Sequence, residues 1–146
     1  MEAINPREST GFLVGRVAHH LKLRVQDFLD EAGIPMSAEE ISILTMLAHL
    51  DAPERMKPLA EMLGRDATTL SRQIDGLENA GLVQRAPCPD DGRAVLVSVT
   101  APGMKLAQRT LPMTIALRQR AMHGVSKADE KVVVGALKQM LSNLVG

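Results

Sequence analysis

Between Leu59 and Leu82 the chain carries two amphipathic segments so close together that only a tight turn fits between them. The stretch LAEMLGRDATTLSRQIDGLENAGL sets Leu59, Ala60 and Leu63 on one apolar face, stops at Gly64 and restarts at Asp66. Glycine accepts the backbone that ends a helix, and aspartate accepts hydrogen bonds from the free amides that begin one. In the second segment, at about 100° per residue, Ala67, Leu70, Ile74 and Leu77 fall on one side. Opposite them lie Thr68, Arg72, Asp75 and Asn79, flanked by Thr69 and Gly76 on one edge and Ser71 on the other. The apolar side packs on the preceding helix, and the polar side is short-chained, nearly flat and rich in hydrogen-bonding groups.

The rest of the chain frames this pair with more helices. With no Trp, no Tyr, two Phe and nine Met among 146 residues, 45% of them hydrophobic, the core must be filled by aliphatic side chains, which favours packed helices. Val14, Val17, Leu21, Val25, Phe28 and Ala32 form one stripe of a long helix over residues 10–32, ended by Gly33 and Pro35. Ser37 and Glu40 form a capping box for a second helix to about Leu50, and Pro53 breaks it. A third begins at about residue 57 with Pro58 in its opening turn. After Gly81, LVQRA and AVLVSVT are short β-prone runs that make a hairpin, with PCPDDG expected as a polar tip that projects rather than packs. Thr100 and Pro102 open a helix to about His123, in which Pro112 should produce a kink. Ser126 and Asp129 cap a last helix striped by Val133, Leu137, Met140 and Leu144. The fold class is therefore mainly α with a small β-hairpin.

Two short helices at this spacing, followed at once by a hairpin, are the pattern of a winged helix-turn-helix, in which the second helix enters the major groove of DNA. On such a helix Thr and Ser reach phosphates or base edges, and Arg72 can grip O6 and N7 of guanine with two bonds. The plainer role for the same face is a solvated side of an ordinary helix. Arg65, just ahead of the cap, is placed either to reach a phosphate or to stay solvated, and Thr69 and Ser71 share that ambiguity. Asp75 faces outward beside Arg72, where it pairs with that residue at i, i+3 or accepts from a cytosine amine; the ion pair is the plainer reading.

LAEMLGRDATTLSRQIDGLENAGLVQRAPCPDDGRAVLVSVTAPG resembles the core of the MarR family of bacterial transcriptional regulators, and the likeness extends to the long flanking helices. Asp91, Arg93, Val99, Thr100 and Gly103 match the family's wing pattern, with Val in place of Leu. The resemblance implies a homodimeric regulator of double-stranded DNA, a ligand-responsive repressor on a palindromic operator. Its wing arginine, Arg93, enters the minor groove and is oriented by Asp91. The DNA contacts expected are Arg65, Thr68, Thr69, Ser71, Arg72, Gln73, Asp91 and Arg93. Residues 36–101 are the expected DNA-binding lobe, and 8–34 with 102–146 the helical dimerisation region of one 146-residue chain. Small aromatic or phenolic anions bind similar regulators in a crevice beside the dimer helices, for which Arg16, His19 and His20 are the candidates. Cys88 stands where an Asp is common and Gly92 where many relatives carry Arg, so this wing holds fewer charges than the family pattern.

Charge and composition limit the alternatives. Net charge is zero; residues 51–100 hold six Lys or Arg against eight Asp or Glu, a sum of −2, and residues 101–146 hold seven against two, a sum of +5. Any case for DNA rests on where a few arginines sit, and a winged helix that binds another protein without touching DNA is the competing reading. The single cysteine and four histidines offer no metal-ligand spacing, and Cys88, between two prolines and near Asp90 and Asp91, is expected to be weakly reactive. No phosphate loop or nucleophile motif supports an enzyme, and no cofactor is expected. With no long apolar run or basic-then-apolar start, the expectation is a cytoplasmic protein without a membrane segment.

Overall fold

The computed structural model describes residues 5–145. A 3-10 turn, Pro6–Glu8, leads into α1 (Thr10–Glu31), followed by α2 (Ala38–Leu50), β1 (Glu54–Arg55), α3 (Met56–Leu63), α4 (Ala67–Asn79), β2 (Val83–Cys88), β3 (Asp91–Val99), α5 (Ala101–Ala121) and α6 (Lys127–Val145). The capping signals act where they stand. Ser37 Oγ accepts from the Glu40 amide while Glu40 accepts from the Ser37 amide, and the Asp129 amide donates to Ser126 Oγ at 3.1 Å. The chain divides into two compact units, Met1–Met113 and Thr114–Gly146, and α5 runs through Pro112 up to and past that division.

In the first unit α2 is the central element. Ile41, Ile43, Leu44 and Leu47 are buried, and they share one core with Leu29 of α1, Leu59 of α3, Leu70, Ile74 and Leu77 of α4, and Val83 and Val97 of the sheet. At about 1.5–3 kcal/mol for each fully buried Leu or Ile, the three from α4 fix that helix in the body without help from its polar face. Lys22 of α1 pairs with Glu39 of α2, and the Lys22 hydrogen bond is the main reason the Glu39 carboxyl is held below its usual value.

The sheet is antiparallel with strand order β1-β3-β2. β1, unanticipated because it is two residues long and follows Pro53, pairs Glu54 with Val97 and Arg55 with Leu96. β2 pairs with β3 from Val83↔Val99 to Pro87↔Val95, and the next pair is Cys88↔Asp91. One step on β2 thus meets four on β3, leaving Gly92, Arg93 and Ala94 outside the β2 ladder, a bulge that re-aims side chains. The expected six-residue tip is therefore shorter. Only Pro89 and Asp90 lie between the strands, and Cys88 is buried instead of projecting, because it sits on the strand, where the Arg55 guanidinium donates to its sulfur at 3.5 Å.

The wing is tied at its base. Thr100 donates its amide to Leu82 O at 3.0 Å and its hydroxyl to Gly81 O at 2.6 Å, while its Oγ1 accepts from the Gly103 amide at 3.1 Å. A Cβ at position 103 would stand 2.0 Å from the Leu82 carbonyl oxygen, so only glycine fits there.

In the second unit no described residue of α6 is buried, Arg118 pairs with Glu130, and Val132, Val133, Leu141 and Leu144 are exposed.

Candidate nucleic-acid interface

The turn between α3 and α4 is closed by backbone alone. Gly64 takes the left-handed conformation (φ 63°), its amide donates to Glu61 O at 3.2 Å and the Arg65 amide donates to Ala60 O at 3.0 Å, the paired bonds of a helix stop that needs no side chain. Two residues later Asp66 begins α4: Oδ1 accepts from the Thr69 amide at 2.9 Å and Oδ2 from the Thr69 hydroxyl at 2.8 Å. Those bonds, the amide first, hold the Asp66 carboxyl below the usual aspartate value.

The angular assignment of α4 holds except at Ala67, expected on the packed side, which is exposed in the first turn of the helix. Leu70, Ile74 and Leu77 are fully buried; Thr68, Arg72, Asp75 and Asn79 are exposed. Thr68 and Arg72 have no side-chain hydrogen bond or ion pair among the described residues. Two of the other candidates on this helix, Thr69 and Ser71, are engaged. The Thr69 hydroxyl belongs to the cap. Ser71 Oγ accepts from Arg85 at 3.3 Å. Gln73 is half-buried, with Oε1 buried and unpartnered. Arg65 turns back to the body and donates to Ser42 Oγ of α2 at 2.7 Å, and its Nη1 is buried without a partner. Burial draws the Arg65 pKa down, and the Glu39 charge opposes that shift.

Asp75 does not pair with Arg72. Its partner is Arg85 of β2, at 2.6 Å. Arg85 also donates to Glu78 at 3.1 Å and to the Ser71 carbonyl at 2.9 Å, and its amide donates to Glu78 as well. A guanidinium that satisfies four acceptors from a half-buried position outcompetes an exposed neighbour one turn away. Sequence reasoning missed this clamp. The available signal was a pair of acids at i, i+3 on the side of α4 that a following strand must pass.

On the wing, Asp91 Oδ1 accepts from the Arg93 amide at 3.0 Å. The aspartate thus fixes the backbone that bears Arg93, and no Asp91–Arg93 ion pair occurs among the described residues. The Arg93 side chain is exposed and has no hydrogen bond or ion pair among the described residues.

Residues 36–95, which hold this whole arrangement, match the MarR family. The HTH-type transcriptional regulator YxaD of Bacillus subtilis is 32% identical over 117 residues, covering 79% of this chain and 81% of that protein. The chain belongs to the MarR family. Among solved structures, the Staphylococcus aureus MepR–DNA complex superposes with a TM-score of 0.79 at 21% identity, covering 92% of this chain and 98% of that one. CouR from Rhodococcus jostii bound to p-coumaroyl-CoA superposes at 0.82 and 21% identity, covering 95% and 96%. Both show the same winged-helix fold. Membership places the chain among transcriptional regulators and not among enzymes.

The ligand candidates of this MarR-family regulator all lie on α1 and are exposed. Arg16 stands with its guanidinium carbon 6.0 Å from the centre of the Phe12 ring, and the His19 and His20 rings meet edge-on at 5.6 Å. Among the described residues no group of three or more His, Cys, Asp or Glu could hold a metal ion, and no helix is long and apolar enough to cross a membrane.

Proposed function

We propose that this regulator binds duplex DNA as a homodimer, with α4 in the major groove and the wing in the minor groove, and that it represses from a palindromic operator until a small aromatic or phenolic anion releases it. The observation that carries the reading is the pair of outward, unpartnered elements: Thr68 and Arg72 on α4 and Arg93 on the wing. Each side chain is presented by a fixed backbone and spends no hydrogen bond or ion pair on another described residue. The fold is shared with MepR, crystallised with DNA, and with CouR, crystallised with p-coumaroyl-CoA.

In this reading residues 36–101 are the DNA-binding lobe, and 8–34 with 102–146 are the helices through which two copies meet. Exposed apolar side chains on α1 (Phe12, Val14, Val17) and on α6 (Val132, Val133, Leu144) favour burial against a second copy, since patches of this kind mark interaction surfaces. Val17 is 56% and Leu144 79% exposed in the single chain. Arg65, Thr69, Ser71 and Gln73 act in this reading mainly by holding α4, with phosphate contact a second duty. Arg16, His19 and His20 supply the polar contacts to the anion, and action on the chromosome places the protein in the cytoplasm.

The near-neutral charge favours one rival, a winged helix that binds protein instead of DNA. Titration of a random duplex at several salt concentrations separates the two. Phosphate contacts make log K fall steeply with log salt, by about 0.9 for each phosphate neutralised, and a flat or absent response removes the DNA reading.

A further inference from the structure

A cleft of about 460 Å³ opens at the β1 edge of the sheet, the edge opposite β2 and its clamp on α4. Three cations line it, Arg55 of β1, Lys57 from the first turn of α3 and Arg93 from the wing bulge, and Met56, Pro58 and Val95 form its apolar part. None of the three is in an ion pair among the described residues, whose ion pairs lie elsewhere. Glu54 and Asp91, the acids nearest in sequence, pair with none of them. Among the described residues the Arg55 guanidinium has only the Cys88 sulfur at 3.5 Å, a weak acceptor. Three positive side chains outside any ion pair among the described residues gather around one concavity, an arrangement that favours an anion inside it.

We propose that this cleft is an oxyanion seat and that in the DNA complex it holds a backbone phosphate on the wall of the groove entered by Arg93. The inference rests on the DNA-binding reading above and adds Arg55 and Lys57, which sequence analysis did not single out, to the contact surface. The minor groove is about 6 Å wide, so an arginine in it has phosphates within a side-chain length on either wall. Cations at the β1 edge meet such a phosphate, while Met56, Pro58 and Val95 face the adjoining sugar carbons. The same chemistry accepts the carboxylate of a small aromatic acid, and the experiment must tell the two sources apart.

The test uses the full chain with a random-sequence duplex, followed by anisotropy at several salt concentrations and by amide chemical shifts of Met56, Lys57 and Arg93. Lys57→Gln and Arg55→Gln should each weaken duplex binding about three- to tenfold near 0.1 M salt and flatten the salt slope by about 0.9 per subunit contact. Lys57→Gln touches no described partner and should keep the wild-type melting temperature. Lys138→Gln on α6, far from this cleft in sequence, is the control and should change nothing. In a second arm, inorganic phosphate and benzoate are titrated into the protein without DNA. If both cleft variants keep wild-type affinity and slope while Arg93→Ala loses both, the seat is overturned and the DNA reading stands. If the wild type binds no duplex but benzoate moves the three amides and Lys57→Gln abolishes that shift, the seat stands with a free carboxylate as occupant, and the DNA reading falls. If duplex, phosphate and benzoate all leave those amides in place, the seat does not exist.

Discussion

Replacing Arg85 by Met keeps an unbranched stem on β2 and deletes the guanidinium that clamps α4. The Arg85 side chain is 22% exposed, whereas Asp75 and Glu78 are 60% and 41% exposed, so solvent screens both ion pairs. At about 0.5 kcal/mol for each such pair and about 1 kcal/mol for the part-buried bond to the Ser71 carbonyl, the loss sums to about 2 kcal/mol. For a chain of this size that lowers the melting temperature by about 4–8 °C. A second effect is electrostatic. Asp75 lies on the outward face beside Arg72, and without Arg85 its charge is unneutralised where phosphates approach, so duplex affinity should fall about three- to tenfold at low salt. The two effects part in the double variant: adding Asp75→Asn should return duplex affinity and leave the melting temperature low. Thermal unfolding by circular dichroism and anisotropy with a random duplex read the two quantities. A single variant with wild-type melting temperature and affinity refutes the clamp. A double variant that regains neither refutes the argument that Asp75 is what Arg85 neutralises.

Other substitutions probe the remaining contacts. Arg72→Ala should cost about 1–3 kcal/mol on the cognate operator and relax preference at one base pair, with a smaller effect on random DNA in the same competition assay. Arg93→Ala should weaken binding to most sequences and flatten the salt slope, any sequence effect being confined to A·T content under the wing. Leu70→Ala should lower stability by about 2–5 kcal/mol in denaturant titration, because the side chain is fully buried. Asp66 has a depressed folded-state pKa, so its stabilisation is fully present above the ordinary aspartate value and is lost as pH falls from there through the lower folded-state value; Asp66→Ala should remove this acid-side dependence from the stability–pH profile. Gly103→Ala should yield little folded protein on expression, since its Cβ meets backbone.

Much of this architecture was legible where the signal is local. The Ser37–Glu40 box, the Gly64 stop and the Asp66 cap each act within four residues of their own position, so helix ends could be read from a line of text. The buried face of α4 followed from one periodicity. The misreadings share a cause, which is distance along the chain. Asp75 was matched with Arg72 by a rule for isolated helices, but its partner comes from ten residues away on a strand. β1 has two residues and exists only because Val97 and Leu96 pair with them. Cys88 looked like part of a loop because its prolines and neighbouring acids signal a turn, and the strand register that buries it is set by β3. Of the site itself, the outward position of Thr68, Arg72 and Arg93 could be foreseen, while the inward turn of Arg65 toward Ser42 could not.

Thr100 holds three bonds within a few ångströms: to the last turn after α4 through Gly81 and Leu82, and to the first turn of α5 through the Gly103 amide. A tilt of the opening turn of α5 should therefore pull on Gly81, and with it on the tail of α4 and the root of β2, so the expected motion carries helix and wing together as one lever arm. Thr100→Val keeps the shape and removes the hydroxyl. If the lever is real, hydrogen exchange at the Gly103 amide should quicken in that variant while the interior of α4 stays protected; unchanged exchange at Gly103 means the coupling runs elsewhere.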